Sequence, residues 1–165
     1  MTTSRPGTRR RPPPRRSRRK PDSLAGVKGT SRPRSTSPRA GAEPCPCALP
    51  AAYDECCGRF HAGQAAPTAE ALMRSRFAAF VVQDEAYLLR TWHPTTRPGR
   101  VDFEPGMRWT SLEIQDVSEG SPFHITGTVT FRANYTFRGK PGELREQSRF
   151  TRYEGAWVYL DAIVD

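Results

Sequence analysis

The sequence lacks any long apolar run. No window approaches the roughly 18 consecutive apolar residues that a membrane-spanning helix needs. No apolar segment follows the arginine pairs near the N-terminus, although a secretory or twin-arginine signal requires one. We therefore expect a soluble cytoplasmic protein that has no membrane partner.

Acidic residues are almost absent from the first 40 residues, which contain 13 Lys and Arg but only Asp22 as an acid. This segment carries a charge of about +12 and the rest of the chain about −3, and together they give the net charge of +9. The overall pI near 10.0 therefore says nothing about the folded part, and whole-chain charge is no reason to assign nucleic-acid binding to it.

Large apolar side chains are also scarce in residues 1–42, which consist mostly of Arg, Pro, Ser, Thr and Gly. Such a composition cannot bury enough surface to offset the entropy of ordering, so a disordered Arg/Pro-rich tail is predicted. Three interpretations of this tail stay open. The first is a basic arm that binds nucleic acid or an acidic partner through charge. The second is a solvated tail without function, and the third is upstream sequence that precedes the natural start codon.

Cysteine is absent after position 57, and the four cysteines that are present form the pattern Cys-x-Cys-x8-Cys-Cys at Cys45, Cys47, Cys56 and Cys57. In an intracellular chain such clustering points to a metal before a disulfide framework. Four thiolates suit tetrahedral Zn²⁺ and leave no position for water, which predicts a structural site. His61 is an alternative ligand to Cys57. The other two interpretations are a thiol cluster without function and a redox pair formed by Cys56 and Cys57.

Helical periodicity follows the cysteine segment. Thr68 is a candidate N-cap of a helix over 68–82, in which the apolar residues at helical spacing are Ala71, Leu72, Phe77, Phe80 and Val81. Asp84 can cap a second helix from Glu85 to about Trp92, with Tyr87, Leu88 and Leu89 directed inward.

The last 60 residues alternate β-branched or aromatic residues with polar ones between turn signals, which predicts strands over 108–118, 124–138, 143–153 and 156–163. In the long second strand the core-facing residues are Ile125, Val129, Phe131, Ala133, Tyr135 and Phe137. Turns are predicted at Gly139-Lys140-Pro141-Gly142 and at Glu154-Gly155. The order predicts an α+β fold in which two helices pack on one face of a curved antiparallel sheet.

Three segments of the sequence resemble known protein families. Residues 44–63 resemble a SEC-C motif, the zinc-binding element also found at the tail of the preprotein translocase ATPase. Ala-Pro-Thr-Ala-Glu-Ala-Leu-Met-Arg-Ser-Arg-Phe-Ala-Ala-Phe at 66–80 and Tyr-Leu-Leu-Arg-Thr-Trp-His-Pro-Thr-Thr-Arg-Pro at 87–98 resemble the YchJ family. The resemblance implies a SEC-C zinc knuckle at 43–63 and a nuclear-transport-factor-2-like cone at 64–165. Cys47-Ala48-Leu49-Pro50 departs from the Gly-Ser-Gly-Lys turn of a typical SEC-C element.

The concave interior of such a cone is the default ligand site. Aromatic and polar residues are its candidate lining, and these are Trp92, His93, Trp109, Glu113, Asp116, Tyr135, Arg149 and Trp157. The alternative, purely structural interpretation places Glu113 and Arg149 on a solvated face of the sheet or in cross-strand ion pairs. Arg74 and Arg76 either bind an anion or lie buried beside Glu70 or Asp84, fixing the first helix against the sheet.

Three functions follow from these features. The first is a zinc-binding module that binds a protein partner or a small ligand through the knuckle or the cone. The second is a small enzyme with acid/base chemistry near His93, Trp109 and Glu113, although no Ser-His-Asp order or glycine-rich phosphate loop is present. The third is nucleic-acid binding through the basic arm alone. The cone resemblance also allows a dimer through the open face of the sheet.

Overall fold

The computed structural model describes residues 42–163, so all but the last residue of the predicted disordered tail lie outside the described part. Three helices come first, preceded by a 3-10 turn, and four strands follow. The elements are the 3-10 turn Tyr53–Glu55, α1 Cys57–His61, α2 Ala69–Val82, α3 Glu85–Arg90, β1 Met107–Glu119, β2 Thr126–Phe137, β3 Lys140–Tyr153 and β4 Ala156–Ile163. No helix within 42–163 is both long and apolar enough to cross a membrane.

The strands form one antiparallel sheet in the order β1-β2-β3-β4, as the α+β prediction requires. The predicted turn at Glu154-Gly155 is confirmed, because Tyr153 pairs with Ala156 and both turn residues have positive φ, as a type I′ turn demands. The predicted four-residue turn at 139–142 is wrong. Phe137 already pairs with Lys140, since Arg138 and Gly139 supply the two positive φ angles of a second two-residue turn.

Burial along β2 alternates as predicted only as far as Ala133. Tyr135 and Phe137, which were also expected on the core face, are partly buried to the same degree as the polar residues beside them. Gly127, Val129, Phe131 and Ala133 are buried, and they direct one face of the sheet toward the core. Ile125 was expected on the same face, but it is 73% exposed. It precedes the first residue of β2 and therefore lies in the connection from β1 rather than against the helices.

Helix α2 packs on both of its sides. Its N-cap is Thr68, whose Oγ1 accepts a hydrogen bond from Ala71 N at 3.0 Å. Leu72 and Phe77 pack into the core beneath the sheet, whereas Ala78 packs against the four cysteines on the other side. This explains why apolar residues surround the helix. Val81, one of the apolar residues at helical spacing, is 36% exposed.

Helix α3 begins as predicted, because Asp84 Oδ1 accepts a hydrogen bond from Tyr87 N. It ends at Arg90, two residues before the predicted end. Trp92 then forms an isolated bridge with Tyr159 of β4, and His93 N donates to Tyr159 O at 2.7 Å. These contacts fix the segment after α3 against the last strand and so position Trp92 at the core.

Candidate metal centre and cone cavity

The four cysteines converge on one point. Their Sγ atoms all lie within 4.8 Å of one another, and all four residues are buried. Cys47 Sγ is 3.5 Å from Cys56 Sγ, and Cys56 Sγ is 4.0 Å from Cys57 Sγ. Tetrahedral zinc–thiolate bonds of about 2.3 Å place sulfur atoms about 3.8 Å apart, so the donor set and its spacing both fit a four-thiolate metal site.

The chain brings the two cysteine pairs together with a short bridge. Pro44 pairs with Ala52, and Cys45 N donates to Ala51 O at 2.9 Å, which returns the chain toward its start. The 3-10 turn then places Cys56 at the N-cap of α1 and Cys57 in its first turn. No disulfide joins the four cysteines.

Thiol acidities within the cluster are strongly unequal. Hydrogen bonding from Cys57 lowers the pKa of Cys47 to about 5. Burial raises the pKa of Cys56 to about 12, and hydrogen bonding to Cys47 together with burial raises the pKa of Cys57. One thiolate is thus stable by itself, but further thiolates in so small a space require a cation that neutralises them. A divalent metal would supply that charge, and its binding would release protons from the remaining thiols.

The departure from the typical SEC-C turn has a structural consequence at Ala48. This residue has φ of 70°, in the left-handed region where a Cβ atom costs roughly 1–2 kcal/mol. Ala48 N donates to Cys45 O at 3.3 Å, so the strained conformation is part of the turn that aligns Cys45 and Cys47.

Replacing Ala48 with glycine should therefore stabilise the protein by about 0.5 kcal/mol, because relief of strain exceeds the greater entropy of an unfolded glycine chain. The matched control is Ala52→Gly, at a position with an ordinary φ of −65°, which should destabilise. Chemical denaturation of both variants tests this difference. Equal losses of stability in the two variants would contradict the argument.

His61, the alternative ligand, lies outside the sulfur cluster. Its Nδ1 accepts a hydrogen bond from Tyr53 OH at 2.6 Å, and its Nε2 donates to Ser75 O at 2.8 Å. Both ring nitrogens are therefore engaged within the protein. Burial lowers the pKa of His61, which favours the neutral ring. His61 thus links the cysteine segment to α2, while Cys57 occupies the fourth position in the cluster.

Two arginines join the cysteine segment to the helices. Arg74 pairs with Glu70, one of the two predicted partners, and its Nη1 donates to Cys47 O at 3.1 Å. Arg90 Nη2 donates to Phe60 O at 2.9 Å and to His61 O at 2.6 Å. The metal-site segment therefore shares hydrogen bonds with α2 and α3, the two helices that cover the sheet.

A second candidate site is a cavity of about 220 Å³ between α2 and the sheet. Most of its lining is apolar or aromatic, and Leu144, at 37% exposure, is the most exposed lining side chain and marks the mouth. The lining residues are Met73, Arg76, Phe77, Phe80, Trp92, Trp109, Phe131, Ala133, Leu144, Glu146, Ser148 and Tyr159.

Arg76 is the notable charge in this cavity, because it is only 4% exposed. Its Nη1 donates to Leu88 O and to Thr91 Oγ1, both at 2.8 Å. The guanidinium carbon lies over the rings of Trp92 and Tyr159 at 5.0 and 4.8 Å. Burial lowers the pKa of Arg76 to about 10, so the side chain stays charged at neutral pH.

The prediction that Arg76 lies beside Glu70 or Asp84 is wrong. Within residues 42–163 no carboxylate oxygen lies within 4.0 Å of its guanidinium nitrogens. Arg76 instead reaches the C-terminal end of α3. Asp84 caps the opposite end of that helix, and Glu70 pairs with Arg74.

Two further polar groups belong to residues that line the cavity. Trp92 Nε1 is buried and has no hydrogen-bond partner among the described residues. Glu146 Oε1 accepts hydrogen bonds from Ser148 Oγ at 2.6 Å and Tyr159 OH at 3.4 Å. Burial, with the nearby Glu146 charge, raises the pKa of Tyr159 to about 12, which keeps this phenol protonated.

The predicted pocket residues divide between the cavity and other places. Trp92 and Trp109 line the cavity. Tyr135 packs against Trp109 with ring centroids 5.3 Å apart but is not part of the lining. Trp157 is buried beside the start of α2, where its Nε1 donates to Pro67 O. His93 lies near the surface, and its Nδ1 is 2.7 Å from Thr95 Oγ1.

The charged candidates lie outside the cavity. Glu113 pairs with Arg132 across β1 and β2, and Arg149 pairs with Asp161 across β3 and β4 at 2.5 Å. Asp116 is exposed on β1. These are the cross-strand ion pairs and solvated face that the strand alternation also allowed.

The cavity residues that were not among the predicted pocket residues include Arg76, Glu146 and Tyr159. For Arg76 a signal exists, since it falls in the helical series Ala69, Leu72, Met73, Phe77 and Phe80, all at core spacing. A charge inside an apolar stripe is a reason to expect a buried role. Glu146 carries no such signal, because its neighbours on β3 are polar.

Comparisons with known proteins agree with this architecture. The sequence pattern of the YchJ middle NTF2-like domain matches residues 68–162. A UPF0225 protein of Streptomyces coelicolor is 66% identical over 119 residues, which are 72% of this chain and 93% of the relative. A UPF0225 protein of Xanthomonas oryzae is 49% identical over 123 residues, covering 73% of this chain and 94% of the relative.

Two solved structures resemble the fold. A SEC-C motif containing protein of Rhodopseudomonas palustris, solved in solution, is 30% identical and superposes with a TM-score of 0.65 over 74% of this chain and all of its own. A SEC-C motif containing protein of Psychrobacter arcticus is 24% identical, with a TM-score of 0.63 over 76% of this chain and 85% of its own. The second likeness concerns the fold alone.

Proposed function

This chain belongs to the YchJ-like UPF0225 family, and from that premise we propose that it is a zinc-stabilised module that binds a small ligand in the cavity of its cone. Zinc acts through the fold in this proposal, because a site closed by four thiolates has no position for a reacting water. The ligand site is the cavity between α2 and the sheet.

The four converging thiols support zinc as the metal. Soft thiolates in a tetrahedral S₄ arrangement favour zinc among the common ions that lack redox chemistry. The residues that would hold it are Cys45, Cys47, Cys56 and Cys57. The metal would hold the segment through which Arg74 and His61 contact α2, and so fix the helix that forms one wall of the cavity.

The residues that line the cavity are the observation that supports ligand binding. Small-molecule sites are concave and mostly apolar, with a few placed polar groups, and this lining combines aromatic rings with Arg76, Glu146 and Ser148. An apolar cavity of about 150 Å³ can admit benzene. The volume of about 220 Å³ here admits one aromatic ring with a short polar substituent.

The test is a titration of the zinc-loaded full chain with phenylacetate and, separately, with its neutral amide, 2-phenylacetamide. The readout is the indole N–H signal of each of the three tryptophans in an NMR spectrum. Binding of at least one probe should shift the Trp92 and Trp109 signals and leave Trp157 unchanged, because only the first two line the cavity.

An Ala133→Leu substitution should abolish these shifts, because Ala133 is buried in the cavity wall and the larger side chain occupies the space. Val117→Leu is the matched control, since it enlarges an exposed side chain of β1 outside the lining. Failure of both probes to shift Trp92 or Trp109 in the unmodified protein would refute the proposed cavity function.

A further inference from the structure

Resting on the proposed cavity function, we infer that the ligand is a small organic monocarboxylate with an apolar body, held by the unused edge of Arg76. The inference starts from the hydrogen-bond inventory of Arg76. A guanidinium has five N–H groups, and only those of Nη1 donate to protein acceptors within residues 42–163. Nε and both hydrogens of Nη2 are left.

The position of Arg76 in the cavity wall assigns this edge to the ligand site. The side chain lines the cavity and keeps a 4% exposed fraction. Because Nη1 is occupied by Leu88 O and Thr91 Oγ1, Nε and Nη2 are the guanidinium groups left to meet a ligand there.

The unused Nε–Nη2 edge of the Arg76 guanidinium favours a carboxylate ligand. Nε–H and Nη2–H are parallel and together form one of the two faces through which a guanidinium binds a carboxylate with paired hydrogen bonds. The other donors hold the C-terminal end of α3, which fixes the plane of the guanidinium. A buried cation without a direct ion pair is costly. Glu146 attracts Arg76 only across the cavity, since no carboxylate oxygen of the described residues lies within 4.0 Å of the guanidinium nitrogens, and the rings of Trp92 and Tyr159 compensate only in part.

Trp92 forms the wall beside the same guanidinium. Its ring centroid lies 5.0 Å from the guanidinium carbon of Arg76. Its Nε1 is fully buried and has no hydrogen-bond partner among the described residues, so this N–H does not face the open space of the cavity. Trp92 therefore offers a ligand its ring, and Arg76 supplies the hydrogen-bond donors.

The remaining lining limits the size and charge of the anion. Phe77, Phe131 and Ala133 present no polar side-chain atom to a ligand, which favours an apolar body. Glu146 contributes a negative charge on the opposing strand, and like charge disfavours phosphate and other multiply charged anions. A singly charged carboxylate on an apolar or aromatic body satisfies both limits.

The experiment compares the affinities of phenylacetate and 2-phenylacetamide for the zinc-loaded full chain at moderate salt. Phenylacetate should bind about tenfold or more tightly, because paired charge-assisted hydrogen bonds are lost with the amide. The Nε–H signal of Arg76 should move downfield with phenylacetate. Reading the shifts of Trp92 and Trp109 separates cavity binding from association with the basic residues of the tail.

Arg76→Met should remove the preference, so that both probes bind alike, and Arg76→Lys should reduce it, because an ammonium group lacks the paired edge. Arg145→Met is the control, since Arg145 is an exposed arginine on β3 outside the lining, and it should retain the preference. If Arg76→Met does not fold, the probe comparison on the unmodified protein and the Arg76 signal decide.

The outcomes separate this inference from the proposed function. Equal binding of the two probes, or tighter binding of the amide, would overturn the carboxylate and leave cavity binding intact. Binding of neither probe would overturn both. A preference that survives Arg76→Met, or disappears in Arg145→Met, would show that surface charge rather than Arg76 selects the anion.

Discussion

Replacing Cys56 with serine should abolish the proposed zinc binding and lower the melting temperature by about 10 °C or more. Loss of one thiolate leaves an incomplete site, and metal-binding free energy in such segments is folding free energy. A loss of about 3 kcal/mol corresponds to a shift of this size in a domain of this length. The cysteine segment is too short to form a hydrophobic core of its own, so the metal would add to the hydrogen bonds that Arg74, His61 and Arg90 make between this segment and the helices.

Loss of the metal should also weaken the support of helix α2. Ala78 of α2 packs directly against the cysteines, and Cys47 O accepts a hydrogen bond from Arg74. Without the metal these contacts loosen, and the helix that lines the cavity loses support on one side. Thermal denaturation and elemental analysis of Cys56→Ser, and of the unmodified protein after chelation, should show the same loss.

Ala51→Ser is the matched control for this experiment. Ala51 packs against the same cluster but offers no ligand in the native protein, so this variant should keep its metal and nearly its full melting temperature. A melting curve of Cys56→Ser that coincides with that of the unmodified protein would contradict a structural metal site.

The second large effect is expected at His61. Replacement with alanine should destabilise the protein by about 2–3 kcal/mol while the metal content stays at one zinc per chain. The variant loses the hydrogen bonds to Tyr53 and Ser75 and the packing of the ring on Tyr87, whose centroid is 4.4 Å away. Lost hydrogen bonds and buried volume together account for this magnitude.

This result separates a structural histidine from a metal ligand. If His61 bound the metal in place of Cys57, the alanine variant would lose zinc as Cys56→Ser does. His124→Ala provides the control, because the exposed imidazole of His124 hydrogen-bonds to Ser121 of its own loop, and the variant keeps the backbone carbonyl that accepts from Arg152. It should change neither metal content nor melting temperature appreciably.

Much of the fold could be predicted because its signals are local. Thr68 and Asp84 cap their helices as predicted, and alternation along β2 identified the buried face. The misplaced turn at 139–142 has a physical explanation. Proline and glycine there resembled a turn, but Gly139 with Arg138 already closes the hairpin, so Pro141 and Gly142 lie in β3.

The candidate metal site could be predicted from the sequence, and the cavity largely could not. Four cysteines within 13 residues indicate metal binding by their spacing alone. The cavity instead depends on which strand positions lie opposite α2, and this is decided by sheet register and by the bridge between Trp92 and Tyr159. Neither is encoded in a local pattern, so Glu146 could not be assigned to the cavity, whereas exposed Glu113 and Arg149 were candidates.

The measurement that tests the central claim most directly is the metal content of protein purified without added metal, together with a count of free thiols under denaturing conditions. The account predicts one zinc per chain and four free thiols. Absence of metal with fewer than four thiols would contradict it, because the cysteines would then form a redox pair at Cys56 and Cys57 instead of a structural zinc site.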